Sequence, residues 1–164
     1  AAKIEEALTE TTEIEFVDTS LKDAMDFIAD LHNITIILNE TALSEEGIGT
    51  DEPITQVLSG ISLGSTLNII LKPLGLTYLI EDEVMKITTV VAAAKRKEIR
   101  VYSVTTLVAA GYEMDALQQI VEQQGGGDVN VLGDTLVVTQ PQQKHRKTMQ
   151  LLEQLQRAVD LQKQ

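Results

Sequence analysis

Near residue 94 the chain changes character, and that break limits what it can fold into. Residues 1–94 hold four basic side chains (Lys3, Lys22, Lys72, Lys86) and seventeen acidic ones, for −13. Residues 95–164 hold nine basic and eight acidic ones, for +1, and twelve of the thirteen glutamines. The overall −12 over 164 residues therefore belongs to the first part alone. A chain this long is one ordinary domain or two small ones, and so sharp a shift favours two. The seam falls at Val90-Val91-Ala92-Ala93-Ala94-Lys95-Arg96-Lys97, which passes from apolar through small to basic. We read 91–97 as a solvated linker between a domain at 1–90 and a domain at 98–164. Modules of this size have modest cores.

Several function classes drop out. With no cysteine there is no disulfide scaffold, thiolate zinc site or cysteine nucleophile. A charge of −12 opposes general nucleic-acid binding, which needs basic groups to displace counterions from phosphates, and opposes an anionic membrane surface. No stretch approaches the roughly 18 apolar residues of a membrane span. The start, Ala1-Ala2-Lys3-Ile4-Glu5-Glu6, lacks the basic opening and apolar centre of a signal peptide, which leaves a processed or trimmed chain open.

Short strands and helices alternate. Ile4 to Leu8 reads as a leading helix and Glu13 to Val17 as a half-buried strand. Ser20, with Asp23 three residues on, starts a helix whose apolar stripe is Leu21, Ala24, Met25, Ile28 and Leu31. Ile34 to Leu38 is a β-branched run and 39–52 a polar loop; Ile54 to Leu58 is another strand. Ser62 caps a second helix carrying Leu63, Leu67, Ile70, Leu71 and Leu74, ended by Pro73 and Gly75. Leu76 to Ile80 and Val84 to Thr88 form a hairpin around Glu81-Asp82-Glu83. In the second module Ile99 to Val104 is a strand, and Met114, Leu117, Ile120 and Val121 make a helical stripe closed by Gly125-Gly126-Gly127. Val129 to Leu132 and Thr135 to Val138 flank Gly133-Asp134, a type II′ hairpin signal. Pro141 suits the first turn of a last helix with Met149, Leu152, Leu155 and Val159 on one side. The fold class is α+β: two small modules, β-α-β-β-α-β-β then β-α-β-β-α, each a short mixed sheet with two helices packed on one face. Such modules leave sheet edges and faces available to neighbours.

Chemical signals are sparse. His32 and His145 lie in separate modules; His32, at a helix end, reads as a surface residue or a partner of the helix C-terminal dipole, and His145 as one of a solvated basic face with Lys144, Arg146 and Lys147. Glu45, Glu46, Asp51 and Glu52 surround Gly47-Ile48-Gly49 without the alternating carboxylates of a calcium loop; they read as solvated acids or as part of a recognition loop. The glycine run follows a helix rather than opening one, so it gives slack and not a phosphate cradle. There is no G-x-S-x-G elbow, and at 3% aromatics base-stacking platforms are scarce. The expectation is no catalytic residue, no metal and no cofactor. The candidate interaction residues are Lys95, Arg96, Lys97, Lys144, Arg146 and Lys147 on the basic side and Glu45, Glu46, Asp51 and Glu52 on the acidic side.

The stretch Glu15-Phe16-Val17-Asp18-Thr19-Ser20-Leu21-Lys22-Asp23-Ala24-Met25 resembles the opening of the secretin and TonB short N-terminal domain. Asn33 to Asn39 is similar to that family's next strand, with His32-Asn33 in place of a glycine turn. Gly60 to Leu67 and Gly75-Leu76-Thr77-Tyr78 resemble its later block, with Gly64 and Thr66 where Glu and Ala are usual. The second module is similar to the N1-like, KH-like βαββα domain of secretins, also called a ring-building motif. Arg100 to Val104, Gly133 to Gln140 and Leu151 to Leu155 carry that likeness, with Asp134-Thr135 where Asn-x is usual and Gln140 where Gly is common. The resemblance implies a non-enzymatic assembly module of the periplasm or cell envelope of a diderm bacterium. Its partners would be itself, as a homo-oligomer or ring, or other envelope proteins, with no nucleic acid and no membrane span in this chain. With no barrel segment following, the chain itself is not expected to form a pore. The short N-terminal domain alone also implies an alternative, a signalling module of the TonB-dependent transducer type contacting an anti-sigma regulator. Transducers lack the second module.

Overall fold

The computed structural model describes residues 2–125 and 127–162. The chain divides into two compact units, Ala1–Ala93 and Ala94–Gln164, each α+β.

Unit 1 opens with α1 (Ala2–Thr9), β1 (Thr11–Ser20) and α2 (Leu21–His32). The Ser20 hydroxyl accepts from the Asp23 amide at 3.1 Å, as its cap position requires. Asn33, in the left-handed region at φ 53°, closes the helix with its N–H on the Ala29 and Asp30 carbonyls. The buried face of α2 runs Leu21, Ala24, Met25, Ile28 and then His32; Leu31, expected in that stripe, is exposed. Steps of four and three residues from Leu21 reach 25, 28 and 32, so the stripe passes residue 31 by.

β2 (Ile36–Leu38) leads to α3 (Glu40–Glu45), a helix inside the stretch read as loop. Asn39 caps it through Oδ1 to the Ala42 amide at 3.2 Å, and Ala42 and Leu43 anchor it in the interior. β3 (Pro53–Ser62) pairs antiparallel with β1, Ile14 opposite Leu58. Ser62 then caps α4 (Leu63–Leu71), accepting from the Ser65 amide at 3.2 Å. A 3-10 turn over Lys72–Leu74 carries Pro73, and Gly75 ends it at φ 71°. β4 (Leu76–Glu81) and β5 (Val84–Thr89) form a hairpin whose turn residues Asp82 and Glu83 both have positive φ, and β2 joins β5 in parallel. The core is almost wholly hydrocarbon: Leu21, Met25, Ile28, Leu43, Leu63, Leu67, Leu71, Met85 and Ile87 are fully buried.

The seam is structured rather than loose. α5 (Val90–Lys95) starts where the Thr89 hydroxyl accepts from the Ala92 amide at 3.0 Å, and β6 (Lys97–Ser103) begins two residues after it.

Unit 2 is one antiparallel sheet in the order β6-β8-β7, with β7 (Asp128–Leu132) and β8 (Thr135–Pro141) joined through Gly133 at φ 60°. α6 (Thr105–Ala109), not expected from the sequence, and α7 (Met114–Gly125) lie between β6 and β7. α8 (Gln142–Gln162) follows β8 directly. Pro141 is the last residue of β8, paired with Lys97, rather than part of the helix. Tyr102, Leu136, Val138 and Val129 on the sheet pack with Leu117 and Val121 of α7 and Val159 of α8. Gly127 belongs to this packing. A Cβ there would sit 2.8 Å from the Thr139 carbonyl oxygen and 2.7 Å from the Gln140 Cβ, so the glycine permits close approach rather than slack. Gly126 lies outside the described residues.

Candidate interaction surface

Strand alternation decides which side chains of β6 are available. Glu98, Arg100 and Tyr102 turn inward under α8. Lys97, Ile99, Val101 and Ser103 turn outward, with Ile99 69% and Val101 66% exposed. The register sets Val101 beside Val137 and Ser103 beside Thr135, which in turn faces Leu132, itself 72% exposed. The sheet thus has one face built into the core and one carrying uncovered aliphatic side chains. Among the described residues of unit 2, β6 and β7 each leave one backbone edge unpaired. β-branched residues in an alternating strand ordinarily mark its buried face. Here they mark the outer one, because the inner positions of β6 are occupied by partners of α8.

Those partners form a buried polar network. His145 is completely buried, not a member of a solvated basic face. Its Nε2 donates to the Glu98 carbonyl at 2.7 Å, which leaves Nδ1 as acceptor for the Tyr102 hydroxyl at 2.8 Å. The Gln140 amide Nε2 donates to the Thr148 hydroxyl at 2.7 Å and lies 3.4 Å from the same Nδ1. Gln142 Nε2 donates to the Glu98 carboxylate at 3.1 Å, and that carboxylate also takes the Arg100 guanidinium at 2.9 Å. Burial and the neighbouring Arg100 charge hold the His145 imidazole below its ordinary range, while burial pushes the Tyr102 phenol up and keeps it a donor. The buried face of α8 consequently reads Gln142, His145, Thr148 and Val159, and Met149, expected inside, is exposed.

The other histidine is also buried, contrary to its reading as a surface residue. His32 Nε2 lies 2.8 Å from the Thr12 hydroxyl, and its Nδ1 is 3.4 Å from the Glu10 carboxylate.

The two basic runs, at 95–97 and 144–147, reach one end of unit 2. Lys97 pairs with Pro141, the residue just before α8, and the backbone of Glu98 holds His145 between Lys144 and Arg146. Lys95, Arg96, Lys97, Lys144 and Lys147 are exposed and Arg146 is half-buried. The outward row of β6 therefore leads from this basic end onto Ile99 and Val101. On unit 1, Glu45 and Glu46 lie at the end of α3, and Asp51 and Glu52 precede β3. That segment is anchored through its backbone: the Leu21 and Lys22 amides at the start of α2 donate to the Glu52 and Thr50 carbonyls at 2.8 and 3.0 Å. Among the described residues no group of three or more metal-ligating side chains converges, and no helix is long and apolar enough to cross a membrane.

No protein-family model matches the chain, and no curated protein matches it. Several solved structures are similar over most of its length at low identity. A structure of XcpQN012 aligns over 88% of this chain and 64% of its own, at 14% identity and a TM-score of 0.36. The V. cholerae type IV competence pilus secretin PilQ aligns over 87% and 37%, at 14% identity and a TM-score of 0.39. A chain from the Salmonella SPI-1 injectisome structure containing InvG domains N0 and N1 with SpaPQR and PrgHK aligns over 90% and 95%, at 12% identity and a TM-score of 0.39. This chain thus spans less than two thirds of the first two.

Proposed function

We propose that this chain is a non-enzymatic protein–protein interaction and assembly module of a bacterial cell envelope, working in the periplasm as the N-terminal domains of secretin-type channels do. Residues 1–90 then correspond to the short N-terminal domain and 98–164 to the ring-building βαββα domain. The observation that carries this reading is the outer face of the β6-β8-β7 sheet. Ile99, Val101 and Leu132 stand on it uncovered, between two unpaired sheet edges and next to a cluster of basic side chains. Solvated aliphatic groups in such an arrangement gain by being covered.

The occupant we assign is a second copy, joined head to tail. Unit 1 carries −13 and unit 2 a basic end at Lys95, Arg96, Lys97, Lys144, Arg146 and Lys147. Opposite charge steers the acidic unit of one copy, including Glu45, Glu46, Asp51 and Glu52, toward that end of the next. Covering the aliphatic row supplies affinity. A patch of a few side chains is far smaller than the about 800 Å² per partner of a stable interface, so each contact is weak and a closed ring supplies the rest by avidity.

Sedimentation velocity over rising concentration tests this. The expected result is concentration-dependent association that weakens as salt rises. A strict monomer at every concentration, with no envelope protein retained in pull-down, would overturn it.

A further inference from the structure

The histidine at the centre of the unit 2 network sits in an environment arranged for the neutral imidazole. It is the fourth residue of α8 and fully buried. Its Nδ1 faces two donors, the Tyr102 hydroxyl and the Gln140 amide. Two charged groups act on it, both from β6. β6 contributes Arg100 and Glu98, but the Glu98 carboxylate already takes Arg100 and Gln142. β8 contributes the neutral Gln140. α8 carries Lys144, Arg146 and Lys147 next to it in sequence, together with the positive end of its own dipole. A buried cation here would meet donors, positive charge and no uncommitted carboxylate.

The same imidazole ties α8 to β6. Its Nε2–H to the Glu98 carbonyl and its acceptance from Tyr102 are two of the bonds that seat the first turn, beside Gln142 to Glu98 and Gln140 to Thr148. Placing a proton on Nδ1 requires the Tyr102 hydroxyl and the Gln140 amide to turn away. Tyr102 has another acceptor ready, the His145 carbonyl at 3.3 Å, and the buried Gln140 Oε1 makes no hydrogen bond among the described residues. The network therefore has a second arrangement available, reached at the expense of the Tyr102 donation to Nδ1 and, as the amide turns, of the Gln140 bond to Thr148, and it leaves a buried charge beside Arg100.

We propose that His145 is an acid-released latch: neutral, it pins the first turn of α8 to β6, and protonated, it frees that turn. Lys144 lies on this turn and Arg146 and Lys147 on the next, so acidification would disorganise part of the basic end assigned above to docking. That consequence rests on the docking reading, whereas the latch does not. Functionally it would weaken assembly as the compartment acidifies.

The sign follows from linkage. The folded state resists the proton that the unfolded or released state accepts near the ordinary histidine value, about 6.5. The neutral, latched state is favoured above that value and is lost as pH falls below it, by up to tenfold per pH unit in the opening equilibrium.

The test uses the full chain without a partner, in a His32→Gln background so that His145 is the only histidine. Imidazole nitrogen NMR follows its protonation, and amide hydrogen exchange, corrected for intrinsic rates, follows the first two turns of α8 against its last two. The expected result is a neutral Nε2–H imidazole that persists to lower pH than an ordinary histidine. Protection in the first turns should fall up to tenfold per pH unit below about 6.5, with the last turns unchanged. His145→Gln, which keeps a donor and an acceptor but cannot titrate, should remove that dependence. Should this variant fail to fold, the imidazole and exchange measurements on the parent decide alone. Titration at the ordinary value with first-turn protection independent of pH would overturn the latch. Loss of association with an intact latch would overturn only the docking reading.

Discussion

Unit 1 seats its helices with hydrocarbon, whereas unit 2 seats the first turns of its longest helix with polar groups. In unit 1 α2 and α4 lie on Leu21, Met25, Ile28, Leu63, Leu67 and Leu71, all fully buried. In unit 2 the corresponding contact under α8 is Gln142, His145 and Thr148 against Glu98, Tyr102 and Gln140. Both units bury one histidine at a helix end, but with different companions. His32 has a carboxylate 3.4 Å from its second nitrogen, while the second nitrogen of His145 faces donors. A hydrocarbon contact is tolerant of register and indifferent to pH. A hydrogen-bonded one specifies register and responds to protonation. Unit 1 thus holds these helices by apolar burial, and unit 2 holds the start of α8 by a hydrogen-bonded network.

Breaking the hydrocarbon side should have the largest effect. Leu67→Ala removes a fully buried side chain and should cost about 3 kcal/mol in urea unfolding, within the range known for cavity-forming leucine truncations. A loss below about 1 kcal/mol would mean that the α4 contact is not tightly packed. On the polar side, Tyr102→Phe deletes one hydroxyl and leaves the His145 Nδ1 without its 2.8 Å donor. The cost of a buried group left unsatisfied is about 1–3 kcal/mol, and the same measurement on unit 2 should find it. Gly127→Ala should destabilise unit 2 by about 1–3 kcal/mol, because its Cβ would press on the Thr139 carbonyl and Gln140. An unchanged melting curve would show that this loop yields easily. Smallest is a helix cap: Ser62→Ala leaves the Ser65 amide without its acceptor and should cost about 1 kcal/mol, comparably with Ser20→Ala at α2.

Local chemistry made part of this legible in the sequence. Ser20 and Ser62 act as caps because a hydroxyl at the first turn has one nearby amide to satisfy. Gly75 and Gly133 take the positive φ that their turns need. The α+β class and the strand order follow from such markers and from periodicity. What stayed hidden depends on contacts between distant segments. α3 is a short helix in a polar stretch, held by Asn39 and the burial of Leu43. The buried face of α8 cannot be found by looking for apolar residues when its occupants are Gln142, His145 and Thr148. The outward display of Ile99 and Val101 follows from the same cause, since Tyr102 takes the inward position to reach His145. The basic residues were visible as two runs, but their arrival at one end of unit 2 rests on the pairing of Lys97 with Pro141.

The most direct test of the proposed assembly is sedimentation velocity of the full chain beside Val101→Glu, which places an acid on the exposed outer face and leaves the core untouched. The parent should associate with rising concentration, and the variant should stay monomeric with an unchanged unfolding curve. Equal association of the two, or a parent that remains a monomer throughout, would contradict it.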